Sequence, residues 1–234
     1  MAAFSAHRRF AAGAVAALGA TLAAGAAAAA AEKDWSVKLT AASEYISKGT
    51  GKSGGDPALQ VDAAYDFGPV TAGVWASNAE VSQGGDSELQ LYVASEHELG
   101  PVKIDLRGML KHMPGTDEAF QDSWFEARAD ATVPVAGTDL RLRVEYSPDN
   151  YAATEAAWWV ELQASRKLAE GWKASAAYGV REQDGGADYR AWNAGVTWRA
   201  TDRLAFDLRW YDTDSHQRGE NYDGRAYVSA TLSF

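Results

Sequence analysis

The chain contains no cysteine among its 234 residues. An exported protein without cysteine has no disulfide framework, so its stability must come from hydrogen bonding and packing. Histidine is scarce, with four in all, and no H-E-x-x-H zinc motif occurs. Basic residues are outnumbered, 22 Lys and Arg against 32 Asp and Glu, which argues against nucleic acid as a partner. Past residue 31 there is no apolar run long enough for a spanning helix. If that part enters a membrane, it must do so as a closed β-barrel, since only helices and barrels satisfy every backbone group in lipid.

The first 31 residues read as a segment apart. Arg8 and Arg9 precede an uncharged run from Phe10 to Ala31 that ends in small residues. A basic start, an apolar middle and a small-residue exit are the parts of a secretory signal peptide. Cleavage near Ala31, after Sec export, is expected to leave a domain over 32–234. Without Arg8 and Arg9 it carries 20 basic and 32 acidic residues, a net charge of −12.

That domain alternates with period two almost throughout. In TDLRLRVEYS, Leu140, Leu142, Val144 and Tyr146 face one way, and Asp139, Arg141, Arg143 and Glu145 the other. Twelve such segments can be drawn, at 35–46, 57–67, 69–78, 87–99, 101–112, 122–133, 138–147, 155–167, 171–182, 189–199, 202–212 and 224–234. Each is about ten residues, the length a tilted strand needs to cross a bilayer, and bacterial barrels use even strand numbers. The joints alternate long and short. SKGTGKSGGD, HMPGTDEAFQD and DTDSHQRGENYDG are long; FGPV, LGPV and RATD are short. Tight periplasmic turns and longer extracellular loops produce this alternation in outer-membrane barrels. The expected fold is therefore all-β, an antiparallel up-and-down transmembrane β-barrel.

Placing the N-terminal end in the periplasm tests that expectation. On the apolar parity, Trp35, Phe67, Trp172, Trp198 and Phe234 fall near one boundary; Tyr45, Phe125, Tyr146, Trp158, Trp192 and Trp210 fall near the other. Two aromatic girdles at the lipid–water interfaces are what a membrane barrel requires. The charged parity then lines the interior. The candidate pore-lining residues are Lys103, Asp105, Arg107, Glu126, Arg128, Arg141, Arg143, Glu145, Glu161, Asp207 and Arg209. Arg107, Arg128, Arg141 and Arg143 fall on three consecutive segments. They form either a basic stripe on one wall of a wet pore or one half of an ion-pair lattice closing a narrow barrel. Trp75, Trp124 and Trp159 take the inner parity near the outward ends, where they serve as packing under the loops or as a greasy patch for sugars.

Several stretches together resemble the TorF family of porin-like outer-membrane proteins. They are Ser43-Glu44-Tyr45, DPALQ at Asp56 to Gln60, AGVWASN at Ala72 to Asn78, EYSPDNY at Glu145 to Tyr151, DYRAWNAGVTW at Asp188 to Trp198, and YDTD at Tyr211 to Asp214. One departure is His112 to Gly115, where the family pattern has an aromatic before Pro-Gly. The resemblance implies an outer-membrane barrel and a channel; it carries no agreed substrate or binding residues.

The expected activity is passive diffusion of small hydrophilic solutes, with no cofactor, no metal and no catalysis. The alternatives are a non-conducting structural or adhesive barrel, or an outer-membrane lipid-modifying enzyme for which His112 with Ser123 is the one conceivable pair. Expected partners are outer-membrane lipid, lipopolysaccharide and the small solutes. The outer-membrane assembly machinery joins them through the AYVSATLSF segment ending in Phe234.

Overall fold

The computed structural model describes residues 34–234; the leader expected over 1–31 lies outside the described residues. Twelve strands close into one antiparallel barrel. They are β1 (Trp35–Ala42), β4 (Ala58–Asp66), β5 (Thr71–Asn78), β6 (Ser87–Leu99), β7 (Val102–His112), β8 (Ser123–Val135), β9 (Thr138–Ser147), β10 (Ala157–Ala169), β11 (Trp172–Gln183), β12 (Tyr189–Arg199), β13 (Leu204–Thr213) and β14 (Arg225–Ser233). The remaining two, β2 (Ile46–Ser47) and β3 (Thr50–Gly51), form a separate hairpin. Three 3₁₀ turns are the only helical pieces among the described residues.

Neighbours in sequence are neighbours in the barrel, and β14 closes onto β1 from Lys38↔Ser233 to Ala42↔Ser229. The Thr40 and Thr231 hydroxyls meet across this seam at 2.9 Å. Phe234 extends it, donating its N–H to the Val37 carbonyl at 2.9 Å.

Register follows from the alternating pattern. Leu142 lies opposite Ala131 on one side and Leu162 on the other, while Arg143 lies opposite Asp130 and Glu161. A slip by one residue would carry every one of these charges to the outside. The outward parity is open to the surroundings: Leu91, Leu110 and Leu208 are 59%, 61% and 61% exposed. Apolar outside and charged inside is the reverse of a soluble barrel.

Both girdles are present on the outer face. Trp172 stacks on Trp198, and Trp198 on Phe206, each at 5.6 Å. At the opposite boundary Tyr146 packs against Trp158 at 4.3 Å. Tyr45 does not belong to that girdle, against the sequence expectation. β1 ends at Ala42 rather than at residue 46, the chain turns inward at Ser43, and Tyr45 is buried inside the barrel.

Inside, buried apolar packing among the described residues is limited to small clusters, one of them, of Ala64, Tyr92, Ala94 and Met109, toward the short-turn end and the others under the long loops. Of the latter, one gathers Tyr45, Ala42, Ala58 and Ala79 beside Trp75; another gathers Trp159, Tyr189 and Ala191. Trp159 lies flat on Gly179 of the adjacent strand, where any Cβ would run into its ring.

Candidate functional site

The segment between β1 and β4 is the loop SKGTGKSGGD, expected to project outward. It folds into the lumen instead. The chain leaves the wall at Ser43, whose N–H donates to the Val228 carbonyl at 2.8 Å. The neck is then cinched: Lys52 N–H donates to the Tyr45 carbonyl at 2.7 Å, Tyr45 N–H to Ser53 Oγ at 2.9 Å, and Ser53 Oγ to the Asp56 carbonyl at 2.6 Å. At the tip, Lys48 and Gly49 have φ of 52° and 82°. Two central residues with positive φ are the mark of a tight two-residue hairpin whose twist matches its strands.

That tip reaches the opposite wall. β9 is the sixth strand from β1 in either direction round the barrel. Lys48 Nζ lies 2.7 Å from Glu145 Oε2 of β9 and 2.6 Å from Glu126 Oε2 of β8. Tyr189 Oη donates to the Lys48 carbonyl at 3.1 Å. Gly49 fits against Ala191 so closely that a Cβ there would overlap the alanine methyl. Near the neck, Tyr45 Oη donates to Glu88 at 3.0 Å, and Arg225 Nη1 bonds both Glu44 oxygens at 2.6 and 2.8 Å.

The buried carboxylates that receive Lys48 are held by further cations. Glu126 also meets Lys111 at 2.9 Å, and Glu145 meets Arg128 at 2.7 Å. Around the wall, Arg143 makes a two-pronged contact with Asp130 at 2.7 and 2.6 Å, and Arg141 reaches Glu161 at 2.5 Å. Arg209 holds Asp207 at 3.1 Å, Asn193 at 2.7 Å and Ser175 at 2.9 Å. Charges withdrawn from water are tolerated when paired and hydrogen-bonded in this way. Of the four arginines in the stripe, Arg128, Arg141 and Arg143 are therefore bound to carboxylates, and Arg107 stacks over the Tyr92 ring at 4.1 Å.

All eleven charged residues singled out from the sequence lie on the inward parity of the paired strands. A cavity of about 600 Å³ beneath the hairpin is lined by every one of them except Lys103, Asp105 and Glu126. Lys103 sits at the short-turn end, paired with Glu96 at 2.7 Å, and Asp105 is one inward position further along β7. Glu126 lines a second cavity, of about 580 Å³, on the long-loop side of the hairpin. Lys48 and Lys111 line both cavities and were absent from the sequence selection. Ser-Lys-Gly-Thr is a recognisable tight-turn signal for Lys48, but nothing local says which way the hairpin points.

At the rim, His112 Nδ1 lies 2.9 Å from Ser123 Oγ, on the outward parity, with Asp122 Oδ1 3.7 Å from the same nitrogen. Ser123 Oγ donates to Asp122 at 2.8 Å. A nucleophile relay needs the serine on one ring nitrogen and the orienting acid on the other. Both partners share Nδ1 here, and no described residue bonds Nε2. No described group of three or more His, Cys, Asp or Glu is arranged to hold a metal ion.

The chain thus has a closed twelve-stranded barrel of porin type, with a charged interior crossed by a hairpin. It belongs to the Gcw_chp family, described as bacterial proteins of unknown function, whose model matches residues 26–233. That match does not carry the TorF name, which stands as a resemblance of motifs. No curated protein matches. Among solved structures, similar folds are found in the KdgM porin in complex with disordered oligogalacturonate (TM-score 0.61, 7% identity, covering 85% of this chain and 99% of that one). The NanC porin is similar too (TM-score 0.58, 6% identity, 85% and 98% covered). At such identities the likeness is one of fold.

Proposed function

We propose that this chain is a bacterial outer-membrane channel for passive diffusion of small hydrophilic solutes, its bore restricted by the hairpin at residues 46–51. The observation that carries this reading is the cavity beneath the hairpin, walled by charged side chains inside a barrel whose outer face is apolar. A wetted lumen with charges of both signs admits polar solutes without chemistry or a cofactor. In this reading the short-turn end faces the periplasm, and the barrel contacts outer-membrane lipid and lipopolysaccharide after Sec export and signal cleavage. Its β14 segment, with Phe234, is presented to the assembly machinery.

A second reading, a non-conducting structural or adhesive barrel, is favoured by one feature: the Lys48 contacts bridge the lumen from wall to wall. Planar-bilayer recording of refolded protein separates the two, run on the parent and on a variant with residues 46–51 replaced by two glycines. Conductance in the parent supports the channel. A parent that stays silent while the variant conducts supports the closed barrel. Silence in both, with heat-modifiable folded barrel on gels, refutes the channel.

A further inference from the structure

The cavity on the long-loop side of the hairpin holds a guanidinium that no described residue pairs. Arg181 of β11 is only 5% exposed and lines that cavity. No described residue gives it a hydrogen bond or an ion pair, whereas Arg128, Arg141, Arg143, Arg209 and Arg225 each hold a carboxylate. A buried, unpaired charge is costly, and proteins keep one where something else completes it. Lys52, at the foot of the hairpin, faces the same space, and no described carboxylate forms an ion pair with it at contact distance. Burial is the main cause that draws its ammonium down to about 8; Arg181, Lys48 and Lys111 push the same way, and Glu88 opposes them.

The cavity wall holds five cationic side chains and three carboxylates. Two of those carboxylates, Glu88 and Glu126, are already occupied by lysines. The local excess of positive charge stands out in a domain whose overall charge is strongly negative. Beside Arg181, its register partner Tyr189 meets Tyr222 edge-on at 5.4 Å, and Arg218 covers Tyr222 at 4.5 Å. An aromatic wall next to a forked cation suits a ligand with an apolar ring face and a planar anion. Cavities of roughly 300–1,000 Å³ are the usual size for small-molecule sites.

We infer that this vestibule is a binding site for a small ring-bearing carboxylate of sugar-acid type, its carboxylate taken by Arg181 with Lys52 and its ring by Tyr189 and Tyr222. The site does not depend on conduction. It exists on the loop side of the hairpin whether or not the lumen beyond it is open.

Isothermal titration of the refolded full barrel in detergent tests this with glucuronate, glucose and inorganic phosphate as probes. The expected result is saturable glucuronate binding, at least tenfold weaker for glucose and phosphate. Arg181→Gln should weaken glucuronate by tenfold or more, Arg181→Lys should retain part of it, and Arg190→Gln at the outer rim should bind like the parent. Heat-modifiable mobility confirms that each variant is folded. The inference is overturned by absent saturable glucuronate binding, by glucose or phosphate matching glucuronate on the parent, or by a folded Arg181→Gln barrel that binds as the parent does.

Discussion

Lys48 Nζ and Glu145 Oε2 lie 2.7 Å apart although their backbones leave opposite walls of the barrel. This contact, with its partner at Glu126, sets the hairpin between two cavities, both lined by Lys48.

Lys48→Met should release the hairpin. Removing one member of a buried pair costs roughly 3–5 kcal/mol, enough to shift the docked and undocked populations by about a hundredfold or more. Single-channel recordings should show larger, noisier openings than the parent, and proteolysis between residues 46 and 51 should quicken. Unchanged recordings and unchanged proteolysis would mean that other contacts hold the hairpin.

Gly49→Val attacks the same docking by shape. The position has φ of 82° and abuts Ala191, so a branched side chain meets both a disfavoured backbone region and a methyl group. The expected outcome matches Lys48→Met in direction. Ala191→Gly in the same chain should restore only part of the docking, because it relieves the overlap and leaves the backbone cost, and protease half-life reads the difference.

The pH behaviour of Lys52 separates ligand binding from folding. Its ammonium is charged below about 8 and neutral above, so glucuronate affinity should fall as pH rises through about 8. The unfolded chain holds that proton up to about 10.5. Between the two values the folded empty barrel therefore gains stability as pH rises. Glu88, Arg181, Lys48 and Lys111 surround the group, and anion binding should draw a proton onto it. Titrations near pH 8 in buffers of different ionisation enthalpy should register that uptake. Lys52→Arg should abolish both the uptake and the inflection.

Deleting Phe234 removes two backbone contacts with Val37, a 2.9 Å and a 3.4 Å bond at the end of the seam. Membrane yield of folded barrel should drop further than the conductance of the molecules that do insert. Equal yield from mutant and parent contradicts this.

His112→Ala and Ser123→Ala should leave phospholipid hydrolysis at the parent's background level, since the two partners of His112 crowd one nitrogen. A rate in the parent that either variant abolishes would reopen the enzymatic reading.

The barrel was readable in the sequence because each strand carries its own instruction. Leu140, Leu142 and Val144 alternate with Arg141, Arg143 and Glu145 whatever the rest of the chain does, and eleven of the twelve barrel strands begin and end within two residues of the segments drawn from that alternation. The exception is β1, where Tyr45 keeps the apolar parity and yet turns inward. Its course is decided by Val228, Glu88 and Trp75, which lie elsewhere in the fold, and by Ser53 further along the same loop. The same holds for the site. Arg128 and Glu145 announced themselves by parity, but Arg181 gains its meaning from what fails to reach it, and an absent partner is a property of three dimensions.

The inward hairpin also fixes an order of assembly. It is encoded between the first two strands of the barrel wall, yet its seat is made of Glu126, Glu145, Tyr189 and Ala191, and its neck is tied to Arg225 and Val228. Every one of those residues follows it in the chain, the last two on the closing strand. The hairpin precedes every residue that seats it, and its full set of contacts exists only once the closing strand is in place.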